Sequence, residues 1–161
     1  CSTRASFTSP GASNLVLCRG ERLEVYHLLQ KQNRLRLAFA TNLAGRAEAL
    51  ATIRPRPGAP ENLVILFRRA SYLVVLRYEQ ALGSIQTCGQ HLLISTADTA
   101  ASVLREGFQP KVAVDPEQRC LLVHSLPERL TVFPCGSSAV LRRDSVQLMG
   151  SLQFSQDSEQ P

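Results

Sequence analysis

Three stretches of this chain repeat one phrase: an apolar run, a short polar or turn-favouring break, and a second apolar run. They are LVLCRGERLEVYHL (15–28), LVILFRRASYLVVLRYE (63–79) and LLVHSLPERLTVFP (121–134), about fifty residues apart. A strand–turn–strand unit recurring at that period points to an architecture built by repeating one small sheet. In RLEVYHL, Glu24 and Tyr26 alternate with Leu23 and Val25, the period of a half-buried strand. Gly20, between Arg19 and Glu21, gives the backbone freedom that a tight hairpin needs. Arg68-Arg69-Ala70-Ser71 breaks the second phrase, and Pro127 the third, where it suits a turn and not a central strand. The expected antiparallel pairs are Leu15–Cys18 with Leu23–His27, Leu63–Phe67 with Tyr72–Tyr78, and Leu121–His124 with Leu130–Phe133.

Further strand candidates fill the intervals. LRLAFATNL and EALATIR flank Ala44-Gly45-Arg46, SIQTCGQHLLIST follows the second phrase, KVAV ends at Asp115-Pro116, and AVLRRDSVQLMG follows the third phrase. The segment 98–106 reads as a helical turn or a loop, and 97–109 is the candidate insertion that widens the second interval. Several strands per repeat fit the four-stranded blades of a propeller. A sandwich or an irregular barrel uses the same short strands. A closed propeller takes about four blades or more, and the chain has strands for about three. The expected fold class is all-β, a partial β-propeller ring over 1–150 with a flexible polar tail over 151–161. The expected core is Leu15, Leu17, Leu23, Val25, Val64, Leu66, Leu73, Val75, Val112, Val114, Leu122, Leu130 and Val132.

The 161 residues suit one domain by length, and 44% apolar residues suffice for a core. The net charge of +5 comes almost wholly from arginine, since Lys31 and Lys111 are the only lysines. Arginine forms bidentate contacts with carboxylate and phosphate. Five cysteines, an odd number at irregular spacing, read as free thiols of a reducing compartment. No run approaches the ~20 apolar residues of a membrane span, and the polar start CSTRASFTSPG does not read as a signal peptide. A chain that opens on Cys1 is expected to be a fragment, a processed product or the ordered part of something longer.

NLVLCRGERLEVYHL (14–28), ENLVILFRRASYLVVLRYE (61–79) and, most specifically, VAVDPEQRCLLVHSLPERLTVFP (112–134) resemble the triple-propeller family. That family holds the large subunit of the cleavage and polyadenylation specificity factor, the damaged-DNA-binding adaptor of cullin-4 ligases and subunit 3 of splicing factor 3b. The third stretch carries its strand, Asp115-Pro116, two residues, Arg119 and a second strand. Glu106-Gly107-Phe108 and Arg119-Cys120 look more like the polyadenylation factor; Leu23-Glu24-Val25-Tyr26 and Arg54-Pro55 look more like the cullin-4 adaptor. The resemblance implies the N-terminal propeller, about three blades of a seven-bladed ring, in a protein with several propellers. It implies a non-enzymatic nuclear scaffold in pre-mRNA 3′-end cleavage and polyadenylation. The alternatives are a cullin-4 adaptor that recruits substrate receptors, DNA-damage recognition included, and a splicing factor 3b scaffold. Partners would be other protein subunits of a large nuclear complex and the rest of the ring, with RNA or DNA contact possible and no membrane.

Individual side chains give little chemistry. Cys88 and His91 form a CxxH, but a structural zinc takes about four ligands, usually as two close pairs. Cys120 and His124 are too isolated to complete it. No Ser lies in a G-x-S-x-G elbow, no carboxylates pair at acid–base spacing, and the glycines are isolated. No catalytic, cofactor or metal residues are expected. The candidates for partner or nucleic-acid contact are Arg54, Arg56, Arg68, Arg69, Arg142 and Arg143, because loop arginines supply nonspecific phosphate contact. The same arginines would equally keep an exposed rim soluble. Tyr26, Tyr72 and Tyr78 read as core aromatics or a protein-binding stripe, and Asp115-Pro116 as a structural turn.

Overall fold

The computed structural model describes residues 1–67, 72–93, 108–126, 129–135 and 151–153. Among the described residues, twelve strands form three four-stranded antiparallel sheets, each a meander in chain order. The first holds β1 (Ser2–Ala5), β2 (Asn14–Arg19), β3 (Arg22–Leu29) and β4 (Arg34–Asn42). The second holds β5 (Ala47–Ile53), β6 (Asn62–Phe67), β7 (Tyr72–Glu79) and β8 (Ser84–Leu92). The third holds β9 (Lys111–Val114), β10 (Cys120–Leu126), β11 (Arg129–Pro134) and β12 (Ser151–Gln153). These are propeller blades. Their first strands, β1, β5 and β9, lie side by side as the inner strands of a ring do.

All three expected hairpins are present. Leu15 faces Tyr26, Leu63 faces Leu76, and Leu121 faces Phe133. Gly20 has φ 61° in the first turn, the left-handed conformation that glycine tolerates best. The blades also repeat in detail. A bulge falls between Val25 and Tyr26 in the β3–β4 pairing and between Val75 and Leu76 in the β7–β8 pairing, the same place in each blade.

The middle blade is buried on both faces. Val64, Leu66, Leu73 and Val75 pack against Leu121, Val123 and Phe133 of the third blade. Leu63, Ile65 and Leu76 pack against Val16, Cys18, Leu23 and Val25 of the first. Phe7, Phe39 and Tyr78 close that interface, with the Phe39 and Tyr78 rings stacked at 5.4 Å. The unbroken burial along Asn62–Ile65–Leu66 follows from this: a strand covered on both sides has no solvent face and needs no polar alternation.

The core corrects the sequence reading in the outer blades. Leu15 and Leu17 are half-buried, whereas Val16 and Cys18 face the second blade. Leu122, Leu130 and Val132 are likewise half-buried, and Leu121, Val123, Thr131 and Phe133 are inside. Val112 and Val114 flank the core without being enclosed by it. In a strand apolar on both sides, alternation does not say which side has a neighbour. Two elements also differ. The polar start contains β1, and Ser151–Gln153, at the head of the expected tail, pairs with β11 as β12. The segments 98–106 and 154–161 lie outside the described residues.

Truncating Leu66, which is fully enclosed between two blades, should cost about 2–5 kcal/mol of stability. Leu66→Ala should shift a denaturant midpoint strongly, whereas Leu82→Ala, at an exposed residue, should leave it nearly unchanged.

Candidate functional site

The loops joining the first and second strands of each blade, 6–13, 54–61 and 115–119, meet at one end of the stack. The Glu61 carboxylate accepts from the Ser6 backbone N–H (2.8 Å) and from Arg54 Nη2 (2.9 Å), while Glu61 N donates to the Ser6 carbonyl (2.9 Å). Arg54 N in turn donates to Gln118 Oε1 (2.9 Å). The resulting chain, Ser6–Glu61–Arg54–Gln118, crosses all three blades. In the first loop the Asn14 side chain is fully buried, and its Oδ1 accepts from Phe7 N, Thr8 N and Thr8 Oγ1. Its Nδ2 lies 3.1 Å from His27 Nδ1.

Asp115 builds the third loop. Its carboxylate accepts from Arg119 N (3.1 Å), Nε (2.8 Å) and Nη2 (2.9 Å), and its carbonyl accepts from Gln118 N (2.7 Å). This closes a turn that holds Gln118 at φ 60°, where its amide reaches the second blade. The Asp-Pro-x-x-Arg sequence is therefore a turn clasp whose product is the position of Gln118. Hydrogen bonds from the Arg119 side chain, and then from its backbone N–H, pull the Asp115 carboxyl down to about 2.

Two of the six arginine candidates, Arg54 and Arg56, lie among the described residues. Arg54 is about half exposed but engaged with Glu61. Arg56 is exposed and enters no ion pair among the described residues. Arg68, Arg69, Arg142 and Arg143 lie outside the described residues. The CxxH residues are structural: Cys88 is the extra residue of the β8 bulge and donates to the Val75 carbonyl (3.4 Å), and His91 packs against Phe133 at 5.4 Å. Burial pushes the Cys18 thiol up to about 11 and raises Cys88 and Cys135, which disfavours the nucleophilic thiolate. Among the described residues, no three or more His, Cys, Asp or Glu side chains gather where they could hold a metal. The tyrosines divide. Tyr78 is stacked in the core, and Tyr26 donates to Glu24 Oε2 (3.0 Å) beside Arg22 and Arg19. Tyr72 is 43% exposed. Sequence reasoning missed Glu61 and Gln118, because their roles arise between blades. The one available signal was positional: Asn-Leu-Val opens both β2 and β6, and both Asn14 and Asn62 are buried.

Residues 1–155 match the family described as the RSE1/DDB1/CPSF1 first beta-propeller. The chain belongs to that family. Protein CFT1 of Eremothecium gossypii is 29% identical over 133 residues, covering 83% of this chain and 10% of that protein. The chain thus spans about a tenth of the length of this curated relative. The Asp115–Arg119 clasp and the repeated blade register lie within the matched region.

The clasp makes a signed prediction. The folded Asp115 carboxyl titrates below its ordinary value of 3.8, so its contribution is present above about pH 4 and is lost as pH falls toward 2. Asp115→Asn should lower the unfolding temperature at pH 7 while leaving partner binding intact where the protein stays folded. The gap to wild type should narrow between pH 4 and pH 2. A pH-independent gap, or loss of binding at full stability, would contradict the clasp reading.

Proposed function

We propose that this chain is part of the N-terminal propeller of a non-enzymatic scaffold subunit in the nuclear pre-mRNA 3′-end cleavage and polyadenylation complex. The observation that carries the scaffold reading is mechanical. Three blades are fused by two apolar interfaces and cross-linked at one end through Glu61, Arg54 and Gln118. Such a body holds its loops at fixed separations, as a platform for several partners requires. The choice of complex is supported by the resemblance of residues 112–134, and membership of the RSE1/DDB1/CPSF1 family agrees with it. Leu23-Glu24-Val25-Tyr26 and Arg54-Pro55 favour the second reading, a cullin-4 adaptor; a splicing factor 3b scaffold has less in its favour.

The ring is completed by other segments of the same protein. The open face of the first blade repeats the face that the second blade presents to it. Leu15, Tyr26 and Leu37 stand in register as Leu63, Leu76 and Thr87 do, and Leu28 and Leu35 as Tyr78 and Ile85 do. In the second blade Leu63 and Leu76 of that face are buried; in the first, Leu35 and Leu37 are half exposed. A preceding blade is the matching cover, because ring closure is how a propeller protects such faces. Contact with partner proteins or nucleic acid would fall to loop arginines: Arg56, which is exposed and has no ion pair among the described residues, ahead of Arg54, with Arg68, Arg69, Arg142 and Arg143 as further candidates.

Two measurements test these readings. Affinity purification of the tagged full-length protein, with mass identification, should recover 3′-end processing subunits, including a zinc-finger RNA reader. Recovery of a cullin instead would favour the adaptor reading. In size-exclusion chromatography the isolated 161 residues should run as oligomers or precipitate through their uncovered faces and edges. A compact monomer with one cooperative unfolding transition would count against the partial ring.

A further inference from the structure

At the end of the stack away from the Glu61 cross-link, the first and second blades part and leave a groove of about 630 Å³. Its floor is Phe67, Val74 and Leu76, with Ile85 and Tyr72 beside them. Its wall is the connection from β4 to β5, which is pinned at both ends to one turn: Leu43 N donates to the Glu21 carbonyl (2.7 Å) and Ala47 N to the Gly20 carbonyl (3.0 Å). Gly45 seats this wall on the Phe67 ring, where an added Cβ would lie 3.2 Å from Phe67 Cδ1. The groove is therefore preformed, with its wall held by backbone hydrogen bonds.

Three features describe an occupant. The floor is apolar and wide enough for a bulky side chain, and Tyr72, 43% exposed, stands beside it. Among the described lining residues Arg46 is the only charged one, exposed and without an ion pair to another described residue, and none carries a carboxylate. Thr41 and Asn42, also lining, lie on β4, which among the described strands pairs only with β3, so its other edge suits an added strand. We propose that this groove docks an extended segment of a partner protein in which a bulky apolar side chain stands next to a carboxylate. The apolar side chain rests on Phe67, Val74 and Leu76, the carboxylate meets Arg46, and the backbone runs along the free edge of β4. This deepens the scaffold reading, on which it rests, by naming one docking face and the chemistry it selects.

The test is fluorescence polarisation on the full-length protein. The probe is a labelled eight-residue peptide with a Leu-Phe pair between two aspartates. Its controls have the aspartates changed to lysine or the Leu-Phe pair changed to serine, and a ten-nucleotide oligouridine is tested alongside. The acidic apolar peptide should bind best, and more weakly as salt rises. Arg46→Glu should weaken it about tenfold or more. Thr87→Trp, placed at an exposed lining residue to fill the groove, should abolish binding while the unfolding midpoint stays at the wild-type value. No binding of the acidic peptide, equal binding of the lysine peptide, indifference to both substitutions, or binding of the oligouridine alone would overturn the proposal. The assay reads the groove alone and the co-purification reads the scaffold alone, so failure of one is distinguishable from failure of the other.

Discussion

Everything in this stack hangs on one strand being apolar on both sides. In β6, Val64 and Leu66 point to one neighbour and Leu63 and Ile65 to the other, all fully enclosed. Each interface uses one face of that strand. A single structural repeat cannot bury its apolar face alone, so each blade draws stability from the next. The same constraint accounts for the half-exposed apolar residues at both ends, such as Leu15 in the first blade and Leu122 in the third. Repetition makes an interior in the middle and an unfinished surface at each end.

The polar cross-link does a different job from the core. Apolar burial is non-directional and leaves blades free to slide by small amounts. Glu61, Arg54 and Gln118 are directional, and they fix the loops of the three blades relative to one another. Asp115 contributes at one remove, by shaping the turn that presents Gln118. A substitution at Asp115 therefore acts through geometry between blades and not through chemistry at a surface. At the opposite end Ala47 N donates to the Gly20 carbonyl between the first two blades, and beside that bond the blades diverge into the groove walled by 43–46. The side-chain chain through Glu61, Arg54 and Gln118 thus lies at one end of the stack and the groove at the other.

The strands and their pairing were legible in the sequence because hairpins are local. Gly20 and the alternation in RLEVYHL dictate a turn and two arms over a dozen residues, and the observed register follows from them. The resemblance carried by 112–134 identified the family for the same reason, since the Asp115–Arg119 clasp closes within five residues. Two features were local yet hidden. Ser2–Ala5 has a polar composition and becomes a strand only because β2 offers it an edge. Ser151–Gln153 pairs with β11 in the same way.

The sequence alone determined that the chain is a repeat of short antiparallel strands, and roughly where each begins. Only the tertiary structure decided which face of each strand is inside. β2 reads NLVLCR and β6 reads NLVILF, nearly the same words, yet the first is covered on one side and the second on both. Period two tells which residues share a face, but the identity of the buried face depends on which blade lies beside it. Glu61, Gln118 and the groove beneath Arg46 were invisible for the same reason: each exists only where two blades meet, and single-strand patterns carry no information about that distance.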